Sequence, residues 1–293
     1  MASLKEVRAR ITSISSTQQI TKAMKMVAAA KLRRAQDSIT QFRPYAKKLS
    51  QMLGTVSAGA ESASESLYKQ TRSVDRALII VVTSDRGLCG AFNTNAVKAA
   101  LLLIDQKYAA QARSGNVEIM AIGKKGAEAF SRRGFVVNKD HVDAFGSLSF
   151  ATVKLAAEDA MSAFAAGRYD VIEIVYNEFK NAAMQIVRTE QMLPIVATES
   201  IGSAAAVNYT FEPSEDEIIT ELIPKTLKTQ LYKAVLDSNA SEHGARMTAM
   251  DKATENAGEL LKELRLVYNR TRQAAITTEI LEIVGGAEAL ANA

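Results

Sequence analysis

Apolar and small residues recur in steps of three and four along the C-terminal part of the chain. The repeating positions are Ala253, Ala257, Leu260, Leu264, Val267, Thr271, Ala274, Thr278 and Leu281. This spacing keeps one face of an α-helix apolar over several heptads. We therefore predict one very long helix that begins at 214–217 and runs to the glycine pair at 285–286. It would be on the order of 100 Å long, so it needs a partner of similar length to cover its apolar face.

The N-terminal part supplies such a partner, because one heptad pattern holds from Leu4 to Val56. Its positions are Leu4, Val7, Ile11, Ile14, Gln18, Thr21, Lys25, Ala28, Leu32, Ala35, Ile39, Phe42, Ala46, Leu49, Leu53 and Val56. The pattern is polar only at its centre, in what we call the polar window: Gln18, Thr21 and Lys25. The apolar residues there shift sideways to Ile20, Met24 and Val27. Such a break indicates that the helix pair separates or meets different neighbours.

The middle of the chain changes period. Pro44 predicts a bend near Gln41, and the small polar residues of 57–66 predict a linker. Strands are predicted at 76–84, 117–122, 136–137, 170–179 and 184–194, with helices from the turn at 85–93 to about 111, after Gly126, and at 148–166. The run at 76–84 is continuously apolar, which is typical of a strand buried on both faces. Four residues join the last two strands, so these form an antiparallel hairpin.

These elements predict an α/β fold, a small and mainly parallel sheet covered by helices and flanked by long terminal helices. We expect an N-terminal helix at 1–57, a linker at 58–75, an α/β domain at 76–212 and a C-terminal helix at 213–293. The two end helices must pair antiparallel for the domain to lie beside them.

Charge is distributed unevenly over these parts. Of the net charge of +4, residues 1–57 carry +9, from eleven basic and two acidic residues, and 213–293 carry −4, from nine basic and thirteen acidic residues. Two interpretations of the basic N-terminal helix are open. Its charged face is solvated and attracted to the acidic C-terminal helix, or the helix passes through an acidic surface of another protein. Nucleic acid is a weaker option, because no aromatic residues interleave with the charges. No apolar run approaches the roughly 20 residues of a membrane span, and the first ten residues lack the apolar core of a signal peptide.

Little in the sequence indicates catalysis. The loops at 87–90 and 123–126 contain glycines but lack the dinucleotide and Walker spacings, so we interpret both as tight turns. Cys89 is the only cysteine and has no histidine near it in sequence, so a buried structural thiol is expected. Asp85 is expected to cap a helix or pair with Arg86, and His243 to lie on a helix surface. We predict no catalytic site, no metal site and no cofactor.

Four segments carry a family resemblance. They are ITKAMKMVAAAKL at 20–32, SDRGLCGAFN at 84–93, SEHGARMTAM at 241–250 and ITTEILEIVGGAEA at 276–289. In their order and spacing they resemble the γ subunits of F-type ATP synthases, from end to end of the chain. The resemblance implies a left-handed antiparallel coiled coil of the terminal helices with a Rossmann-like domain.

The resemblance also implies a function and partners. The family's γ subunit is the central rotor shaft of a proton-translocating complex, present once per complex. It passes through the hexameric ring of α and β subunits, stands on the c-ring and meets the ε subunit. It has no catalytic role, because ATP is made on β. The chain would be peripheral to the membrane through the c-ring, on the cytoplasmic side of a bacterial inner membrane, with a processed organellar chain as the less favoured source.

Site residues follow from the same resemblance. The positions that match contacts to β are Met24, Lys25, Arg246, Arg272, Gln273, Thr277, Glu279 and Glu282. Those that match the segment touching the c-ring are Tyr209, Phe211 and Glu212. We expect the shaft to meet β at the polar window, where the helix ceases to optimise its own pairing. The alternatives are a coiled-coil scaffold and a small nucleotide-binding enzyme.

Overall fold

The computed structural model describes residues 3–59, 67–195 and 215–291. In chain order its elements are α1 (Leu4–Gly59), β1 (Ala77–Val82), α2 (Phe92–Lys107), α3 (Ala109–Arg113), β2 (Val117–Ile122), α4 (Lys124–Ser131), β3 (Val136–Asn138), α5 (Phe150–Ala165), β4 (Val171–Phe179), β5 (Gln185–Leu193) and α6 (Glu215–Ala291). A 3₁₀ turn covers Leu67–Lys69. The chain divides into two compact units, Met1–Ala28 with Met247–Ala293, and Ala29–Arg246. We refer to them as the two-helix unit and the sheet unit.

The sheet unit is built on five strands in the order β3-β2-β1-β4-β5. β1, β2, β3 and β4 pair in parallel, and β4 and β5 form the antiparallel hairpin. All six residues of β1 are buried, as its unbroken apolar run predicted. Both the predicted mixed α/β fold and the mainly parallel sheet are therefore confirmed.

Two cores lie on the two faces of this sheet, because successive side chains of a strand point to opposite sides. Leu78 and Ile80 of β1 pack in a core that includes residues of α5, the last turns of α1 and the first part of α6. Ile79 and Val81 pack in the other core, with residues of α2 and with Phe130 of α4. The sheet is thus a middle layer with helices on each side.

The two-helix unit is an antiparallel pair. Lys25 lies beside Asp251 and Thr21 beside Thr254, so residue numbers rise along α1 as they fall along α6. The N-terminal heptad positions agree with the prediction, since all those from Leu4 to Leu53 are buried or half-buried. Within this unit the apolar contacts run from Val7 to Ala28 on α1.

The predicted apolar face of α6 is wrong after Leu264. Val267 and Leu281 are exposed by 46% and 66% of their surface. Thr271 is half-buried as predicted, but its half-buried neighbours on α6 are Tyr268 and Ala275 rather than Val267 and Ala274. Leu260 and Leu261 are both apolar, so the sequence permits either face, and only contact with α1 selects between them.

Both long helices continue past residues that often interrupt helices. α1 continues through Pro44, as expected, and α6 continues through the glycine pair at 285–286 to Ala291. A glycine inside a helix costs only about 1 kcal/mol relative to alanine, so it does not by itself end a helix. No helix in the described ranges is long and apolar enough to cross a membrane.

Candidate functional site

The polar window does not separate the helix pair. The Gln18 amide donates to the Thr254 carbonyl at 3.4 Å, and the Thr254 hydroxyl donates to the Thr21 hydroxyl at 2.8 Å. The Lys25 ammonium lies 2.5 Å from an Asp251 carboxylate oxygen. Every window residue thus has a polar partner on α6, and the interpretation that the helices part here is wrong.

Apolar side chains beside the window are exposed. Ile20, Met26 and Val27 expose 59%, 61% and 58% of their surface. Met24, which lies on the same side of the helix as Ile20 and Val27, is half-buried. Such a group on a basic helix has no role in the helix pair itself. It is available for contact with another protein.

The C-terminal end of α6 is exposed on all sides. The pairing of Lys25 with Asp251 and of Thr21 with Thr254, continued at the same spacing, places Leu4 opposite about residue 271. Beyond this point α1 has no residues left to cover α6. The large apolar side chains exposed there are Ile276, Ile280, Leu281, Ile283 and Val284.

The predicted contact residues of this end lie among these apolar ones. Arg272, Gln273, Thr277, Glu279 and Glu282 are all exposed. The Thr277 hydroxyl donates to the Gln273 carbonyl at 2.9 Å, a bond within the helix. Arg272 is exposed and makes no ion pair with any residue in the described ranges, so its guanidinium is available to a partner.

Arg246, in contrast, is bound inside the sheet unit. Its side chain is only 13% exposed and pairs with Glu242 one turn earlier. It also donates to the carbonyls of Arg86 and Gly87, at 3.1 and 3.2 Å, in the loop that follows β1. The next residue, Leu88, has a φ of +63° and is 64% exposed. A leucine held in this left-handed region is strained, so the loop presents it at a cost.

The interior of the same loop is polar and closed. The Asn93 amide donates to the Ser84 hydroxyl at 2.8 Å and to the Cys89 sulfur at 3.3 Å, and its oxygen accepts from the Ser84 N–H. Burial raises the pKa of the Cys89 thiol above its ordinary value. Cys89 is therefore the buried structural thiol that was expected.

The glycine loop before α4 is filled by the protein's own groups. At Gly123, with φ +104°, a Cβ would lie 2.1 Å from the Thr83 carbonyl oxygen. The first three N–H groups of α4 donate to the Asp85 carboxylate, the Ser84 carbonyl and the Thr83 hydroxyl, at 3.1, 3.0 and 2.8 Å. Asp85 is thus a helix cap, one of its two expected roles. These donors are the ones that a phosphate would need at this position.

His243 is half-buried, so the expectation that it lies on a helix surface is wrong. Its Nδ1 is buried and has no hydrogen-bond partner among the described residues. Burial, together with the nearby charges of Arg246 and Lys31, lowers the pKa of His243 to about 4. The described residues contain no cluster of three or more acidic, cysteine or histidine side chains that could hold a metal ion.

Comparison with known proteins places the whole chain in one family. A family model described as "ATP synthase" matches residues 3–290. The "ATP synthase gamma chain" of Cytophaga hutchinsonii is 60% identical over 295 residues, which cover 100% of both chains. The chain belongs to the ATP synthase gamma chain family. The relative from Flavobacterium johnsoniae is 55% identical and covers 99% of each chain.

Solved structures agree with this assignment. A chain from the Tetrahymena thermophila mitochondrial ATP synthase, described as central stalk and c-ring, is 25% identical with a TM-score of 0.58, covering 80% of this chain and 99% of that one. A chain of the Euglena gracilis enzyme is 23% identical with a TM-score of 0.69, covering 98% and 94%. The latter shows a shared fold. The role of central-stalk rotor subunit, implied by the sequence resemblance, is that of this family.

The residues matched to family contacts fall in different parts of the chain. Met24 and Lys25 belong to the two-helix unit, as do the exposed residues from Arg272 onward. Arg246 belongs to the sheet unit. The c-ring positions Tyr209, Phe211 and Glu212 lie outside the described residues. Sequence reasoning missed Leu88, for which the only signal was its place between the two glycines of the loop at 87–90.

Proposed function

We propose that the chain is the rotating shaft that couples c-ring rotation to sequential conformational changes in the catalytic β subunits. The observation that carries this proposal is the uncovered end of α6. There Ile276, Ile280 and Ile283 are exposed on a helix that α1 no longer accompanies. Such a surface is costly in water and suits an apolar sleeve formed by a partner ring.

We infer that the chain itself does not catalyse the reaction. At the glycine loop before α4, the N–H donors that could bind a phosphate are occupied by Asp85, Ser84 and Thr83. The proposed partners are the α and β subunits, the ε subunit and the c-ring, with one copy of the chain per complex. The proposed location is peripheral, on the cytoplasmic side of a bacterial inner membrane.

The coupling would follow from asymmetry. Three equivalent β subunits around one shaft meet different faces of it, so its angle biases each of them toward a different conformation. This is a coupling free energy between distant sites, carried by rigid-body rotation. The paired helices of the two-helix unit resist bending better than one helix would.

Individual contacts extend the proposal. Arg272, Gln273, Thr277, Glu279 and Glu282 would contact β directly, because they are exposed beside the apolar residues of the α6 end. Met24 and Lys25 would contact β beside Ile20, Met26 and Val27. Arg246 would reach β mainly through the loop it holds, which presents Leu88. Tyr209, Phe211 and Glu212 would contact the c-ring.

The first test is assembly. The tagged chain, expressed in a bacterium that lacks its own copy, should co-purify with α and β subunits from membranes and restore proton pumping driven by ATP. Absence of α and β from that preparation would refute the proposed function.

The second test uses one substitution. Met24→Lys should lower the ratio of proton pumping to ATP hydrolysis in membrane vesicles, because a second cation beside Lys25 favours one rotational state against an acidic partner surface. The effect should weaken at high salt, which screens exposed charges. Met52→Lys, at an exposed methionine in the part of α1 that belongs to the sheet unit, is the control. Equal ratios for the two variants would remove Met24 from the proposed contact.

A further inference from the structure

The C-terminal end of β4 has a neighbouring strand on one side only. The pairing of β1 with β4 ends at Val81 and Val175, whereas β5 continues along β4 to Phe179. Asn177 and Phe179 therefore present their backbone N–H and C=O groups on the side where β1 has stopped. Buried backbone groups of this kind need partners.

Side chains of α6 take the place of the missing strand. The Ser238 hydroxyl accepts from the Asn177 N–H at 3.1 Å, and the Ser241 hydroxyl donates to the Asn177 carbonyl at 3.0 Å. One carboxylate oxygen of Asp237 accepts from the Phe179 N–H at 3.3 Å. Asp237, Ser238 and Ser241 are each 0% exposed.

Arg43 of α1 completes the arrangement. Its Nη2 donates to the Phe179 carbonyl at 2.7 Å and to the same oxygen of Asp237 at 2.6 Å. Four hydrogen bonds thus connect the two long helices to two residues of one strand, and a fifth connects Arg43 of α1 to Asp237 of α6. We call this group, which lies wholly in the sheet unit, the edge clasp: Arg43, Asn177, Phe179, Asp237, Ser238 and Ser241.

We propose that the edge clasp is the joint through which torque passes between the sheet and the two long helices. This inference rests on the proposed function as a rotating shaft. Apolar contacts are non-directional, so a helix held by them alone can turn or slide on a sheet at little cost. Hydrogen bonds weaken steeply when their angles change, so they resist such motion. Because Arg43 and Asp237 share Phe179, neither helix can turn without the other.

The composition of the clasp argues against a role in stability alone. The Asp237 side chain is fully buried, whereas that of Arg43 is 42% exposed. A paired carboxylate that is buried recovers little more than its desolvation cost, and apolar residues of similar volume often hold a core as well or better. Burial raises the pKa of Asp237 despite Arg43, which shows how strongly the site disfavours the charge. The second oxygen of Asp237 and the side-chain nitrogen of Asn177 are buried without a partner among the described residues. Such polar groups add little to the stability of the fold, but their directional hydrogen bonds would hold the helices at a fixed angle to the strand.

The test measures torsional stiffness in the assembled complex. A gold particle is attached through Ser131→Cys, an exposed position on α4, because the native Cys89 is 1% exposed and unreactive. The ring of α and β subunits is fixed to glass without nucleotide turnover, and the angular variance of the particle is recorded. Variance is inversely proportional to stiffness.

The principal variant is Arg43→Met with Asp237→Asn, which removes two of the five bonds without leaving a buried charge unpaired. If the five bonds act in parallel with equal stiffness, the angular variance at the joint rises by about 1.7-fold. Ser241→Ala removes one bond, is the milder variant, and should raise it by about 1.25-fold. The matched control is Arg188→Met with Glu178→Gln, an ion pair on the same hairpin with an exposed arginine and a half-buried glutamate.

Comparing the clasp variants with the control distinguishes a loss of torsional stiffness from a loss of thermal stability. A rise in variance that follows the number of bonds removed, with the control unchanged, supports the joint. Equal variance in all variants, even where the clasp variants melt at lower temperature, overturns it and leaves the clasp a cover for the strand edge. Failure of the unsubstituted complex to rotate with ATP would overturn the proposed function, and the torque proposal with it.

Discussion

Replacing Leu264 by aspartate should disrupt the two-helix unit, whereas the same change at Val267 should not. Leu264 is 9% exposed and Val267 is 46% exposed, although both fit the heptad spacing of the sequence. Leu264→Asp loses about 1.5–3 kcal/mol of apolar burial, and an unpaired polar group in that place adds about 1–3 kcal/mol. We expect a total of about 3–5 kcal/mol. Val267→Asp should stay within about 0.5 kcal/mol, as substitutions at the surface usually do.

Amide hydrogen exchange is the appropriate assay, since the two units need not unfold together. In the full-length chain, protection at 10–28 and 250–271 should fall about a hundredfold or more in Leu264→Asp, at about 1.4 kcal/mol per tenfold change. Protection of the strands in the sheet unit serves as the internal control. Equal losses in the two variants would show that Val267 belongs to the helix contact and that the observed face of α6 is wrong.

Three further outcomes are expected. Because the pKa of His243 is lowered from 6.5 to about 4, the unfolded chain binds the extra proton first, so stability should fall as pH drops through this interval. After allowance for solvent screening the loss is about 1 kcal/mol, and His243→Gln should abolish that part of the pH slope in urea titrations. Gly126→Ala places a Cβ 2.8 Å from a buried hydroxyl and should cost about 1–3 kcal/mol, while Gly87→Ala, with open space around it, should be neutral by thermal melting. Thr254→Val should destabilise by about 1 kcal/mol, and adding Thr21→Val should restore most of it, because removing both partners leaves no orphaned group; additive losses would contradict this.

The sequence was sufficient for the fold because periodicity is a local property. The strand at 77–82 and the long helices could be predicted from spacing alone, without knowledge of their neighbours. The choice between Leu260 and Leu261 as the buried residue of α6 could not, since both are leucines on adjacent positions. That choice depends on the axial rotation of α6 against α1, which no single helix encodes.

Contacts between distant segments were out of reach for another reason. In the edge clasp, Arg43 binds Phe179 and Asp237, which lie 136 and 194 positions further along the chain. The bonds from Arg246 to the loop after β1 span about 160 positions. Serines, an aspartate and arginines on helix surfaces have many ordinary uses, so their types alone did not indicate these partners.

The sequence showed that the heptad pattern of α1 becomes polar at the window, but contact with another protein is not the whole explanation. Its polarity has an intramolecular explanation, because Gln18, Thr21 and Lys25 all bind α6, and polar pairs in an apolar contact fix the alignment of two helices. The polarity of the window therefore does not by itself require contact with another protein. The apolar residues beside the window, Ile20 and Val27, are the ones that another protein would cover, because they are exposed in the described structure. The proposed contact with β accordingly lies on the outer face of α1, with Met24 at its border.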